Sequence, residues 1–132
     1  MLLSIDHGAK YIGLAIAPLQ TRIATPYKTI QGENISLLFK DLQEIILKQK
    51  ITKVIIGHPI SLSGNSSEQT KRTEKFIKQC KKEFDLPIVI FDERFTSKMA
   101  NNFSSNKENH AIAASIILQD YIDHQTFEHE NI

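Results

Sequence analysis

The sequence holds a single cysteine, Cys80, in 132 residues. One thiol cannot close an internal disulfide, and it cannot supply the grouped thiolates of a structural zinc site. Cys80 therefore reads as a reduced, packed helix residue. Long apolar runs are also lacking. No stretch approaches the roughly 20 apolar residues that span a bilayer, and the opening MLLSIDHG carries no basic leader. Neither a signal peptide nor a membrane partner is expected, which leaves the cytoplasm as the expected location. An excess of one charge is missing too. Lysine and arginine number 16 against 15 aspartates and glutamates, and a net charge of +1 gives no global argument for nucleic acid. Any such argument has to be local. There is no internal repeat and no low-complexity segment, and the polar stretch from Asn101 to Asn109 reads as a loop. No aromatic platform of the kind that stacks single-stranded bases is apparent.

What is present suits one compact domain: 41% hydrophobic and 23% charged side chains, in a length that supports a single core. One domain is expected over residues 1–132, with a tail from about residue 124 that lacks fixed structure. Leu2 to Asp6 reads as a buried strand, His7 to Lys10 as a turn enabled by Gly8, and Tyr11 to Ala17 as the returning strand of a hairpin. Ile23 to Ile30, interrupted by Pro26, reads as an edge strand. Asn34 has the character of an N-cap. The helix it starts carries Leu37, Leu38, Leu42, Ile45 and Ile46 at helical spacing and ends near Lys50. The run KVIIG (Lys53 to Gly57) reads as a central strand buried on both faces, and PIVIF (Pro87 to Phe91) as another buried strand. A polar loop from His58 to Ser67 and a helix from Glu68 to Phe84 lie between them, the helix turning Phe76, Ile77 and Cys80 inward. A short helix over Ser97 to Phe103 and a last one over Glu108 to His124 complete the chain. Three antiparallel strands followed by two β-α units predict an α/β fold with a mixed five-stranded sheet and helices on both faces.

In such a sheet, ligands collect at the carboxyl ends of the parallel strands, where Asp6, Gly57 and Glu93 all fall. Two carboxylates with loop oxygens and water would make a hard site for Mg²⁺ or Mn²⁺, able to polarise a phosphodiester and activate water. Taken singly, Asp6 as a turn residue and Glu93 as a solvated neighbour of a helix start are the plain structural readings. Their joint placement is what favours a metal site.

Four segments, in this order, extend the argument: IDHGAKYIGLAIA, GHPISLSGNSSEQT, FDERFTS and AIAASIILQDYI. Together they resemble the motifs of the YqgF family, also called RuvX, whose members are described as Holliday junction resolvases or pre-16S rRNA nucleases. The resemblance runs from Leu2 to about Asp123. It implies an RNase H-like fold and a nuclease that uses a divalent metal, Mg²⁺ or Mn²⁺. The implied substrate is structured nucleic acid: the 5′ ends of ribosomal RNA precursors, with ribosomal precursor particles as partners, or alternatively branched DNA. It also implies that Asp6 and Glu93 are catalytic, metal-binding acids.

The third acid of the family precedes an alanine pair, as D-x-x-A-A, and His110 stands there. An imidazole suits Mn²⁺ better than Mg²⁺. His110 is thus open to three readings: a metal ligand, a general acid-base group, or an ordinary residue of a helix start. Glu108 lies about 200° away around a helix and could stand in only if the helix begins after it. Tyr11 is a second departure, since the family pattern commonly places arginine after Lys10. A nuclease that has lost its third acid could also persist as a nucleic-acid-binding or ribosome-assembly protein. The actin-like ATPase cleft that D-x-G suggests would need a longer chain.

For the substrate backbone, Lys10, Arg94 and Lys98 are expected as phosphate contacts because they are near the acids in the chain. Lys71 and Lys75 begin a stripe continued by Lys78 and Lys82, opposite Phe76, Ile77 and Cys80 on the same helix. Such a stripe can neutralise phosphates, or it can be a solvated helix face. Recognition by shape and backbone is expected rather than base readout.

Overall fold

The computed structural model describes residues 1–58, 68–92 and 107–130, with backbone alone at 107–108 and 126–130. Strand β1 (Leu2–His7) and strand β2 (Tyr11–Ala17) form the expected hairpin, with Asp6 opposite Gly13 and His7 opposite Ile12. The turn closes when the Gly8 N–H donates to the Tyr11 carbonyl at 3.1 Å. A Cβ at residue 8 would stand 2.6 Å from that carbonyl oxygen, so the turn has room only for glycine.

Strand β3 (Thr25–Gln31) pairs antiparallel with β2 and starts two residues later than the sequence suggested. Ile23 is instead 60% exposed, just after Arg22 in the left-handed region at φ 56°. Pro26 lies on this edge strand, beside the register shift between Leu14 and Ala15, where a residue without an N–H is tolerated.

Helix α1 (Ile35–Lys48) is capped as anticipated, the Asn34 Oδ1 accepting from the Leu37 N–H at 3.1 Å. Its buried face is Leu38, Phe39, Leu42 and Ile45. Leu37, counted with the apolar stripe, is half exposed. Phe39 and Ile46 widen the stripe on one flank, and Leu37 falls on the other.

Strand β4 (Lys53–His58) runs parallel to β1, and strand β5 (Ile88–Asp92) parallel to β4, giving the sheet order β3-β2-β1-β4-β5. Helix α2 (Glu68–Glu83) joins β4 to β5 in chain order, and helix α3 (Lys107–Glu130) follows β5. The short helix expected over Ser97 to Phe103 falls outside the described residues, as does the loop after His58. No helix among the described residues is long and apolar enough to cross a membrane.

Strand alternation divides the core into two layers. On one face, Leu3, Ile5, Ile12, Leu14, Val54 and Ile56 pack with α1 and α2, including Leu42, Phe76 and Cys80. Cys80 is fully buried there, and burial pushes its thiol up to about 12. The packed helix position agrees with the sequence reading, and a buried thiol raised in this way is unreactive. On the other face, Leu2, Ala15, Ala17, Ile55 and Phe91 pack with Ala114, Ile117, Leu118 and Ile122 of α3.

Candidate active site

Asp6 sits near the carboxyl end of β1. Ile5 pairs with Ile56, Gly57 with Phe91 and His58 with Asp92, so the ends of the three parallel strands lie side by side. This is the convergence expected for Asp6 and Gly57. Glu93 follows Asp92 directly in the chain but lies outside the described residues, as do Arg94 and Lys98.

By alternation, Asp6 shares a face with Leu2 and Ser4, the face that α3 covers. The helix comes very close here because the strand residues beneath it are small: Ser4, Gly13, Ala15 and Ala17. A Cβ on Gly13 would fall on the His110 carbonyl and crowd the Ala111 nitrogen. Farther along, the buried Ser4 Oγ donates to the Ala114 carbonyl at 2.7 Å. Gln119 then ties the helix to the segment before β3, accepting from the Ala24 N–H at 2.9 Å and donating to the Arg22 carbonyl at 3.3 Å.

This docking brings His110 Nδ1 to 3.5 Å from Asp6 Oδ2, each side chain 20% exposed. The pair is an ion pair when the imidazole is protonated. When the imidazole is neutral, an oxygen and a nitrogen converge on one small volume. Two donors each about 2.1 Å from one ion can lie no more than about 4.2 Å apart, so the observed separation suits a shared cation. Among the described residues, no group of three His, Cys, Asp or Glu side chains could hold a metal.

The Tyr11 ring lies 5.9 Å from the His110 ring, tilted by 50°, and the Lys10 ammonium is 5.4 Å from the Tyr11 centroid. The two positions that depart from the family pattern therefore touch.

The neighbouring histidines and the lysines of α2 lie elsewhere. His7 points to the opposite face, its ring stacked on Phe76 at 4.5 Å and 17°. Its Nδ1 is 3.1 Å from Thr73 Oγ1, and Gln69 Nε2 donates to the His7 carbonyl at 2.9 Å. Burial lowers the His7 pKa to about 4, with the Asp6 carboxylate opposing the shift and Arg72 adding to it. His58 turns to α2, its Nε2 3.3 Å from Glu74 Oε1. Lys71, Lys75, Lys78 and Lys82 are all exposed on α2. That helix packs on the sheet face opposite α3, so the stripe and the Asp6–His110 pair are on different sides of the sheet.

Sequence reasoning missed Gly13, Ser4 and Gln119 as positioning residues. The signal for Gly13 was present, since a glycine inside a strand often marks a close backbone approach. Ser4 was likewise a lone polar residue in an apolar strand. Nothing local marks Gln119.

A family model described as "RuvX: Holliday junction resolvase" matches residues 1–124. A Rickettsia felis protein named "Putative pre-16S rRNA nuclease" is 39% identical over 131 residues, the match covering 92% of this chain and 85% of that one. A Rickettsia akari protein of the same name is 38% identical with the same coverage. Among solved structures, Thermus thermophilus RuvC in complex with a Holliday junction substrate matches with a TM-score of 0.60 at 10% identity, over 95% of this chain and 94% of that one. The fowlpox virus Holliday junction resolvase matches with a TM-score of 0.52 at 13% identity, over 93% and 98%. At these identities the structural likeness is one of fold, and it agrees with the RNase H-like architecture expected from the sequence.

Proposed function

The chain belongs to the RuvX family, and from that premise we propose that it is a metal-dependent nuclease that hydrolyses phosphodiester bonds in 5′-end maturation of 16S ribosomal RNA precursors. The name shared by its Rickettsia relatives supports the substrate. The observation that carries the reading is the approach of His110 to Asp6 at 3.5 Å, beside the ends of three parallel strands.

In this reading Asp6, Glu93 and His110 hold a divalent ion. The donor set fits one: a carboxylate oxygen and an imidazole nitrogen converge within reach of a single cation, and the mixed oxygen and nitrogen ligands suit Mn²⁺ better than Mg²⁺. When bound, a divalent ion supplies Lewis-acid polarisation of the phosphodiester and activation of water. The residues do the rest. Asp6 supplies negative charge, and Gly13 and Ser4 set the helix so that His110 meets it. The His110 imidazole, if not engaged as a ligand, is placed to move a proton beside Asp6. Lys10, Arg94 and Lys98 take the phosphates next to the cut, and Lys71 and Lys75 take more distant ones. The enzyme works in the cytoplasm on ribosomal precursor particles.

Two other readings each have a specific support. The family description names Holliday junctions, which favours branched DNA. The imidazole in the place of an acid favours a weakened nuclease that acts chiefly by binding RNA during ribosome assembly.

One experiment separates them. Purified protein is given a 5′-extended 16S precursor fragment or a four-way DNA junction, with Mn²⁺ or Mg²⁺, as wild type, Asp6→Asn and His110→Asp. Wild type is expected to cut the RNA faster with Mn²⁺. Asp6→Asn should lose about 100-fold or more, beyond the roughly 10–100-fold typical of losing an outer-shell partner, and His110→Asp should move the preference towards Mg²⁺. Equal cleavage by wild type and Asp6→Asn would sink the assigned site. Faster cutting of the junction would select branched DNA, and strong gain by His110→Asp with both metals would select the weakened factor.

A further inference from the structure

A cavity of about 220 Å³ opens at the same end of β1 as Asp6, on the other face of the sheet. Its walls come from three separate elements: His7 of β1, Leu38 and Phe39 of α1, and Phe76 of α2. The His7 ring is stacked on Phe76, and Phe39 meets Phe76 with ring centroids 5.7 Å apart at 40°. The cavity therefore has an aromatic floor, made of residues far apart in the chain. Arg72 and Lys75 of α2 also line it, and both are exposed. Among the described residues, Arg72 pairs with Glu68 at 3.7 Å. With the two side chains 55% and 90% exposed, that loose surface pair leaves the guanidinium available. The first turn of α1, whose Ile35 completes this side of the cavity, carries no acidic residue.

Size and chemistry narrow the ligand. The cavity is smaller than the roughly 300–1,000 Å³ of sites that take drug-sized molecules, so it has room for one flat ring system. Rings stack on rings, and the cationic rim favours an anion attached to that ring. Aromatic on one side and anionic on the other is the chemistry of a nucleotide.

We propose that this cavity receives one unstacked nucleobase of the bound strand, with the adjoining phosphate on Arg72 and Lys75. Assigning the base to the substrate strand rests on the nuclease reading above. The site would give the lysine stripe of α2 a purpose, since Lys71 and Lys78 lie on the same helix face and could continue the track for phosphates. It would also place one nucleotide of the strand on the face opposite the reacting phosphate. The substrate would then wrap the end of the sheet.

The test uses the full chain, labelled with ¹⁵N and free of metal, and reads amide shifts. The probes are adenosine 5′-monophosphate, ribose 5-phosphate and inorganic phosphate. The nucleotide should give saturable shifts at Ala9, Gly32 and Gln79. Ribose 5-phosphate should bind about tenfold more weakly or worse, the loss expected from one base stack. Arg72→Gln with Lys75→Gln should weaken the nucleotide. Ala9→Trp, a change at an exposed rim position, should block it while the melting temperature holds. Asp6→Asn should bind it as wild type does.

Equal responses to all three probes would reduce the site to a cationic surface and overturn the proposal. So would undiminished nucleotide binding in a folded Ala9→Trp protein, or the lack of any saturable response. The two readings fail separately. Full cleavage by Asp6→Asn defeats the nuclease assignment while nucleotide binding stands; absent nucleotide binding with Asp6→Asn inactive defeats the cavity alone.

Discussion

Towards α1 and α2, the first two strands present Leu3, Ile5, Ile12 and Leu14, and the helices answer with Phe39, Leu42, Phe76 and Cys80. Towards α3, the same two strands present mostly small residues, Ser4, Gly13, Ala15 and Ala17, with Leu2 the large exception; near the site they are met by Ala111 and Ala114, and farther along by Ile117, Leu118 and Ile122. The first face buries large side chains, and hydrophobic stabilisation scales with the apolar area removed from water. The second buries less per residue but lets a helix backbone rest almost on a strand. One face is suited to stability and the other to position. The residues proposed for the chemistry, Asp6 and His110, are on the second.

That division can be broken deliberately. The largest loss of stability is expected on the bulky side: Leu42→Ala removes a fully buried side chain and should cost about 2–5 kcal/mol in denaturant unfolding. Cleavage per folded molecule should stay the same. A large fall in it would mean that the bulky face also sets the site. Gly13→Val inverts the pattern. Overpacking should cost about 1–3 kcal/mol, while cleavage falls by up to about 100-fold, because misplacing a reacting group by about 1 Å can cost that much. If cleavage tracks only the folded fraction, the close approach has no catalytic meaning.

A finer test joins the two departures from the family pattern. Tyr11→Arg and His110→Asp, made singly and together, should be non-additive by about 0.5–3 kcal/mol in transition-state stabilisation, since the rings they replace touch. Additive effects would show two independent sites.

The smallest effect at neutral pH concerns His7. Its folded pKa of about 4 lies below the ordinary value of 6.5, so between them the unfolded chain binds the extra proton. Its contribution is complete above about pH 6.5 and is lost as the pH falls towards 4. His7→Phe keeps a ring against Phe76 and should flatten that part of the stability curve. An unchanged acid slope would place the sensitivity elsewhere.

Much of the fold could be read directly. The apolar runs at Leu2, Lys53 and Pro87 are strands to within a residue or two, although the last is an edge strand with Ile90 38% exposed rather than the buried strand expected, and the Asn34 cap is where its side-chain chemistry puts it. Short-range physics specifies those features. The edge strand β3 was displaced because β-branched content alone does not distinguish Ile23, in an exposed turn, from the residues that pair.

The site was legible only in part, and through resemblance more than through spacing. Asp6 and His110 are at opposite ends of the chain, so no periodicity links them. Gly13 read as one more small residue in a strand, because the helix that makes it necessary arrives from far along the sequence. The cavity floor was invisible for the same reason: His7, Phe39 and Phe76 have no common spacing, and the sequence alone suggested no aromatic platform.

The hydrogen bond from Ser4 to the Ala114 carbonyl has a mechanical consequence. A helix resting on small residues has a smooth seat, and a slip of one residue would advance it by about 1.5 Å and turn it by about 100°. Such a slip would carry the His110 ring away from Asp6 and bring a neighbour towards its place. Ser4 holds one chosen carbonyl, as a pawl holds one tooth of a ratchet. It stands two residues before Asp6 on the same face of the same strand, so a single short stretch of β1 supplies the carboxylate and also fixes the phase of the helix that meets it.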